Sequence, residues 1–161
     1  WKSHLGVGRK ETNKIEKAAI ARVGLGGNSS DETIYWNAFA DSEGKELNTK
    51  YDYEIIINDQ IPIDFNNYGF WSITIYGEDK YLMENQIKKY MVRNTDFLSK
   101  HFPVKIKLSK QCSGFESIYE IPFANKNQKF SMALRCYRPL DIMKNKKSCL
   151  NIKLPEIIRI K

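Results

Sequence analysis

Apolar and polar positions alternate most clearly along Gly69-Phe70-Trp71-Ser72-Ile73-Thr74-Ile75-Tyr76-Gly77. In an extended chain Trp71, Ile73 and Ile75 share one face, and Phe70, Ser72, Thr74 and Tyr76 share the other. Rings on both sides predict a strand in the middle of a sheet whose two faces are covered. The same period recurs at residues 51–57, where Tyr51, Tyr53, Ile55 and Ile57 oppose Asp52, Glu54 and Ile56. It recurs again at 104–108 and at 130–137, where Phe130, Met132, Leu134 and Cys136 point inward while Arg135 and Tyr137 point away. Trp71, Ile73, Ile75, Phe130 and Leu134 are the predicted core.

Shorter strands are expected at 33–40, 88–92, 117–121 and 156–160. The turn formers Asp41-Ser42-Glu43-Gly44 predict a hairpin after the first of these. Ile61-Pro62-Ile63 reads as an edge or crossing segment because proline cannot donate to a ladder. A helical period appears at Ile15, Ala18, Ala19 and Val23, predicting a short amphipathic helix over 12–23, capped by Thr12 and ended by Gly24. The glycines at 24, 26 and 27 follow this helix, whereas phosphate loops precede one, so they are not read as a phosphate cradle. Many short strands, one early helix and no βαβ rhythm argue a mostly β fold, a jelly-roll-like antiparallel β-sandwich. Residues 12–161 form one domain in this reading, and residues 1–11 are a linker or the tail of a missing N-terminal region.

Composition changes the picture little. A hydrophobic content of 42% and a charged content of 28% suit a soluble globular domain, and no apolar run reaches membrane-spanning length. The net charge of +7 favours acidic partners. The cations are dispersed, as at Lys105 and Lys107 on the wet face of a strand or Lys144, Lys146 and Lys147 in an expected loop, so nucleic acid is not the predicted partner. Cys112, Cys136 and Cys149 cannot all pair with one another, and none has C-x-x-C spacing. Cys136 falls in a strand pattern and reads as a small buried thiol. The odd count leans toward a reducing compartment, though a processed exported form stays compatible with the sequence, and Asn28-Ser29-Ser30 would be a glycosylation sequon there.

An ordered set of pieces resembles the domain-of-unknown-function family 1214, from about Lys17 to Lys161. The pieces are Ala18-Ala19 to Gly24-Leu25-Gly26 with Thr33-Ile34-Tyr35; Asp41, Gly44 and Leu47 before Tyr53; Pro62; Phe70-Trp71-Ser72-Ile73-Thr74-Ile75-Tyr76; Asn85, Ile87 and Tyr90; Phe130 with Leu134-Arg135-Cys136-Tyr137-Arg138-Pro139; and Pro155. The resemblance implies a jelly-roll domain, often C-terminal to a second uncharacterised β domain. It also marks a departure: the family often has a Trp near 116–120, where this chain carries Ile118 and Tyr119. No activity is established for the family.

Candidate chemistry is sparse. His4 and His101 cannot supply the clustered ligands of a metal enzyme, so neither a metal nor any other cofactor is expected. No G-x-S-x-G elbow announces a nucleophile. Glu84, Glu116 and Glu120 are the carboxylates that a glycoside hydrolase would need in a pair. The polar residues least explained by packing are Glu84, Asn85, Lys89, Tyr90 and Arg135, the candidate ligand-binding set. Arg135 must reach water, an acid such as Glu84 or Glu116, or an acidic ligand, and a structural salt bridge is the plainer alternative. The expected function is a non-catalytic binding or assembly module of a larger protein, partnered by another domain or copy, with an acidic ligand or glycan. The alternatives are half of a carbohydrate- or lipid-directed hydrolase completed at a seam with a missing domain, and a capsid-type shell component.

Overall fold

The structure, a computed structural model, describes residues 1–3, 13–24, 27–97, 101–110, 119–123, 127–145 and 148–160. In chain order its elements are β1 (Lys2–Ser3), α1 (Lys14–Gly24), β2 (Thr33–Ala38), β3 (Tyr53–Ile57), β4 (Trp71–Gly77), β5 (Met91–Arg93), β6 (Val104–Ser109), β7 (Glu120–Pro122), β8 (Phe130–Tyr137), α2 (Asp141–Lys144) and β9 (Glu156–Arg159). The strands form a five-stranded sheet in the order β1-β2-β8-β4-β5 and a four-stranded sheet in the order β7-β6-β3-β9. Every pairing is antiparallel except β6 with β7, which run parallel. Together the two sheets make a β-sandwich.

Alternation explains the core. Leu134 lies opposite both Trp36 and Ile73, and Met132 opposite Ala38 and Ile75, so these positions form apolar rows on one face of the larger sheet. They pack with Tyr53, Ile55, Ile57, Ile106, Leu108 and Ile157 of the smaller sheet in one buried cluster. All five predicted core residues are in it, and Trp71 is only 3% exposed. Tyr53 brings a phenol into the core, and Asn48 satisfies it: the hydroxyl donates to the Asn48 carbonyl at 3.2 Å and accepts from its N–H at 3.0 Å. Cys136 is a buried free thiol, as its strand position predicted.

Some local expectations are corrected. The turn at Asp41–Gly44 forms, with Gly44 at a φ of +81° and Asp41 Oδ1 accepting from the N–H groups of Glu43 and Lys45. The hairpin extends only to a bridge between Ala40 and Glu46; β3 then joins the other sheet, between β6 and β9. The strand expected over 88–92 is Met91–Arg93. Lys144 ends a short helix rather than lying in a loop. The early helix is present, but Asn13 caps it, its Oδ1 accepting the Glu16 N–H at 2.9 Å. Ile15, Ala18 and Ala19 of its apolar side are exposed, Ile15 by 83%. Thr12, Glu116, Ile118, Cys112, Lys146, Lys147 and His4 lie outside the described residues.

The sheets are also tied across an edge. Asp41, directly after β2 and its bridge, sets a side chain that is 1% exposed against Arg159 of β9, Oδ2 to Nε at 3.0 Å. Neither atom finds an aligned hydrogen-bond partner, so the contact is Coulombic. The guanidinium also lies over the Tyr51 ring, 4.3 Å from its centroid. Ser42 bonds to Ile157 through both its N–H and its hydroxyl.

Burial pushes the Cys136 thiol well up from its ordinary 9.0, and burial likewise raises the Tyr53 phenol above 10.0. The native state therefore holds protons that the unfolded chain releases, so unfolding free energy should fall as pH climbs through about 9 and then 10. Each retained proton contributes a slope of about 1.4 kcal/mol per pH unit once the unfolded group is ionised. Urea unfolding between pH 8 and 10.5 should show the decline, and Cys136→Ala should make it shallower; a flat profile would contradict the burial of both groups.

Candidate functional site

After β4 the chain turns at Gly77, with Lys80 N–H donating to the Gly77 carbonyl at 3.1 Å and Lys80 at a φ of 70°. It runs back along β4 briefly: Gly77 N–H donates to Tyr81 and Met83 N–H to Ile75. It then leaves as a loop, and the ladder resumes where Ile75 N–H donates to Tyr90 at 3.0 Å. This excursion opens a cavity of about 680 Å³ at the end of the sandwich. Met83 and Phe123 line it as buried apolar residues, and Tyr90 adds a half-buried ring. Asp79, Glu84, Gln86 and Gln128 supply its polar groups, and Tyr81, 77% exposed, stands at the mouth.

Asn85 ties the loop to itself through its side chain. Asn85 Oδ1 accepts the Lys89 N–H at 3.0 Å, and Asn85 Nδ2 donates to the carbonyls of Lys89, at 2.8 Å, and Met83, at 3.2 Å. The intervening Lys88 takes a φ of 53° to close this ring of bonds. A buried amide with both ends engaged on backbone is a positioning group, because turning toward a ligand would leave those backbone groups unpaired.

The structure divides the residues singled out from sequence. Glu84, Asn85 and Tyr90 line the cavity, and Lys89 lies on the same loop without lining it. Arg135 is elsewhere, on the outward face of the larger sheet. There Nη1 donates to Thr74 Oγ1 at 3.0 Å and Nη2 donates to the Tyr76 hydroxyl, with the rings of Tyr35 and Tyr76 on either side at 6.0 and 5.5 Å. It makes no ion pair with Glu84 or any other acid among the described residues.

Of the carboxylates, Glu84 lines the cavity, and the second acid there is Asp79 rather than Glu120, which is buried on β7. Asp79, Tyr81, Gln86, Phe123 and Gln128 were not foreseen. The signal lay in two polar stretches, 77–80 and Asn127-Gln128, which meet because Gly77 lies opposite Phe130. Gly77 itself leaves space for them: a Cβ there would come within 3.0 Å of Asp79 Oδ1 and 3.6 Å of Gln128 Oε1. Tyr119 stacks on Phe97, which in turn tilts against Trp71. Phe97 and Tyr119 are partly buried against the core. Among the described residues no three His, Cys, Asp or Glu side chains gather as metal ligands, and no helix is long and apolar enough to cross a membrane.

Residues 32–141 match the profile of a family described as "Protein of unknown function (DUF1214)". Among solved structures the chain is similar to the crystal structure of the VPA0106 protein from Vibrio parahaemolyticus, with a TM-score of 0.72 and 23% identity. The likeness covers 94% of this chain and 36% of that one, so the chain spans about a third of that protein's length. At that identity the likeness carries the fold alone. No curated protein matches the chain.

Asn85→Ala should remove three loop bonds and lower stability by about 1 to 3 kcal/mol, the cost of leaving buried polar groups unpaired. Amide exchange at Lys89 should quicken by more than the global loss explains. An unchanged Lys89 exchange rate would show that something other than Asn85 holds the loop.

Proposed function

From the premise that the chain belongs to the family described as Protein of unknown function (DUF1214), whose description leaves activity open, we propose a non-catalytic binding module that takes a polyhydroxylated ligand, a glycan segment, in the cavity beside β4. The observation that carries this is the mixture on the cavity wall: rings from Tyr81, Tyr90 and Phe123 among the carboxylates and amides of Asp79, Glu84, Gln86 and Gln128. Sugars offer apolar C–H faces that pack on rings, and hydroxyls that donate to carboxylates and exchange bonds with amides. A volume of about 680 Å³ falls in the range of small-ligand sites. Two carboxylates disfavour an anionic ligand at this place.

A second reading, a hydrolase completed by another domain, draws on Asp79 and Glu84 sharing the cavity, since glycoside hydrolysis needs two acids across a cleft. The chain's coverage of only 36% of the solved relative leaves room for such a domain.

Titration calorimetry and amide chemical shifts with neutral tetrasaccharides (maltotetraose, cellotetraose and chitotetraose) test the binding reading. Saturable binding should shift residues 77–90 and weaken at least tenfold in Tyr81→Ala and in Glu84→Gln. No binding by a folded chain, or binding indifferent to both substitutions, contradicts it. New reducing ends during the same incubations would favour the hydrolase.

A further inference from the structure

The outward face of the larger sheet has an unusual charge pattern. Register places Lys2 beside Asn37, Ala133, Thr74 and Met91 in one row, and Tyr35, Arg135, Ser72 and Arg93 in the next. The strand residues of this face include these three cations and no acid. Arg93 is already paired, its Nε and Nη2 donating to Asp96 Oδ1 at 3.2 and 3.0 Å. Arg135 has no acid partner among the described residues: its bonds go to the uncharged hydroxyls of Thr74 and Tyr76. It is half-buried at the centre of the sheet, with β2 on one side and β4 on the other.

Partial burial weakens the hydration of a cation, and hydroxyls satisfy N–H directions without neutralising charge. The flanking Tyr35 and Tyr76 rings, together with the two hydroxyl bonds, fix the guanidinium and reduce the side-chain entropy that binding would otherwise cost. Its remaining N–H donors keep the fork geometry that matches a carboxylate or phosphate. The neighbouring Ser72, Thr74 and Ala133 are short side chains and are themselves buried.

We propose that Arg135 is an oxyanion-binding site on the outward sheet face, taking the carboxylate or phosphate group of a ligand between the Tyr35 and Tyr76 rings. It lies on the opposite side of the sheet from the cavity and stands or falls independently of glycan binding there. The bond formed is a charge-assisted hydrogen bond to an anion, which the acidic cavity would repel.

The test is a ¹H–¹⁵N titration of the whole chain with inorganic phosphate and, separately, with acetate, against sodium chloride at matched ionic strength. The Arg135 Nε–H resonance and the amides of Tyr35, Ser72 and Arg135 should shift saturably with at least one oxyanion and not with chloride. Preference for phosphate or for acetate identifies the group that the site takes. Arg135→Gln should abolish the shifts, and Arg135→Lys, which keeps the charge but not the planar fork, should weaken them. Should Arg135→Gln fail to fold, the wild-type Nε–H signal decides alone. A response equal to that of chloride, an Arg135 Nε–H that does not move, or shifts that survive in folded Arg135→Gln would overturn the proposal.

Discussion

The register of β8 between β2 and β4 is the constraint on which the rest of the structure depends. Side chains alternate with a period of two, so a slip by one residue on either side would carry Leu134 and Met132 to the outer face and drive Arg135 into the core. The penalty for burying an unpaired guanidinium is what makes the observed register so well specified. Because the pairing of β4 with β8 runs unbroken from Trp71↔Cys136 to Gly77↔Phe130, the turn after β4 must meet the segment before β8. That meeting makes the cavity. The same register sets Arg135 opposite Tyr35 and Ser72, which makes the cationic position outside.

A second tie holds the sheets in place relative to one another. The segment after β2 carries Asp41 and Ser42 across to β9, where Arg159 and Ile157 receive them. Asp41 performs two tasks with two oxygens: Oδ1 shapes the turn, while Oδ2 faces the guanidinium. A buried carboxylate with backbone donors on one side and a cation on the other meets the conditions under which burial of a charge is tolerated. At Gly69, by contrast, the requirement is space, since a Cβ would lie 2.6 Å from the Asp64 carbonyl oxygen. Gly69 therefore lets the chain enter β4 directly from the preceding turn.

Much of this was legible in the sequence because long strands advertise themselves. Residues 53–57, 71–77, 104–109 and 130–137 each alternate over enough positions to fix type and face, and their inward residues are the core observed. Short elements were not legible: β1 has two residues and β7 has three, too few for a period to show. The parallel pairing of β6 with β7 and the failure of the hairpin between β2 and β3 are tertiary choices that no local pattern encodes. The same division applies to the site. Glu84 and Tyr90 stood out as polar or aromatic residues without a packing role. Asp79, Gln128 and Phe123 join them only once two distant segments are brought together, and Arg135 separates from them because the sheet lies between.

Cross-strand nuclear Overhauser effects measured on the intact chain test this register most directly. The account predicts contacts that pair Leu134 with both Ile73 and Trp36, and Arg135 with both Ser72 and Tyr35. Contacts displaced by one residue on either side of β8 would contradict it, and with it the placement of both the cavity and Arg135.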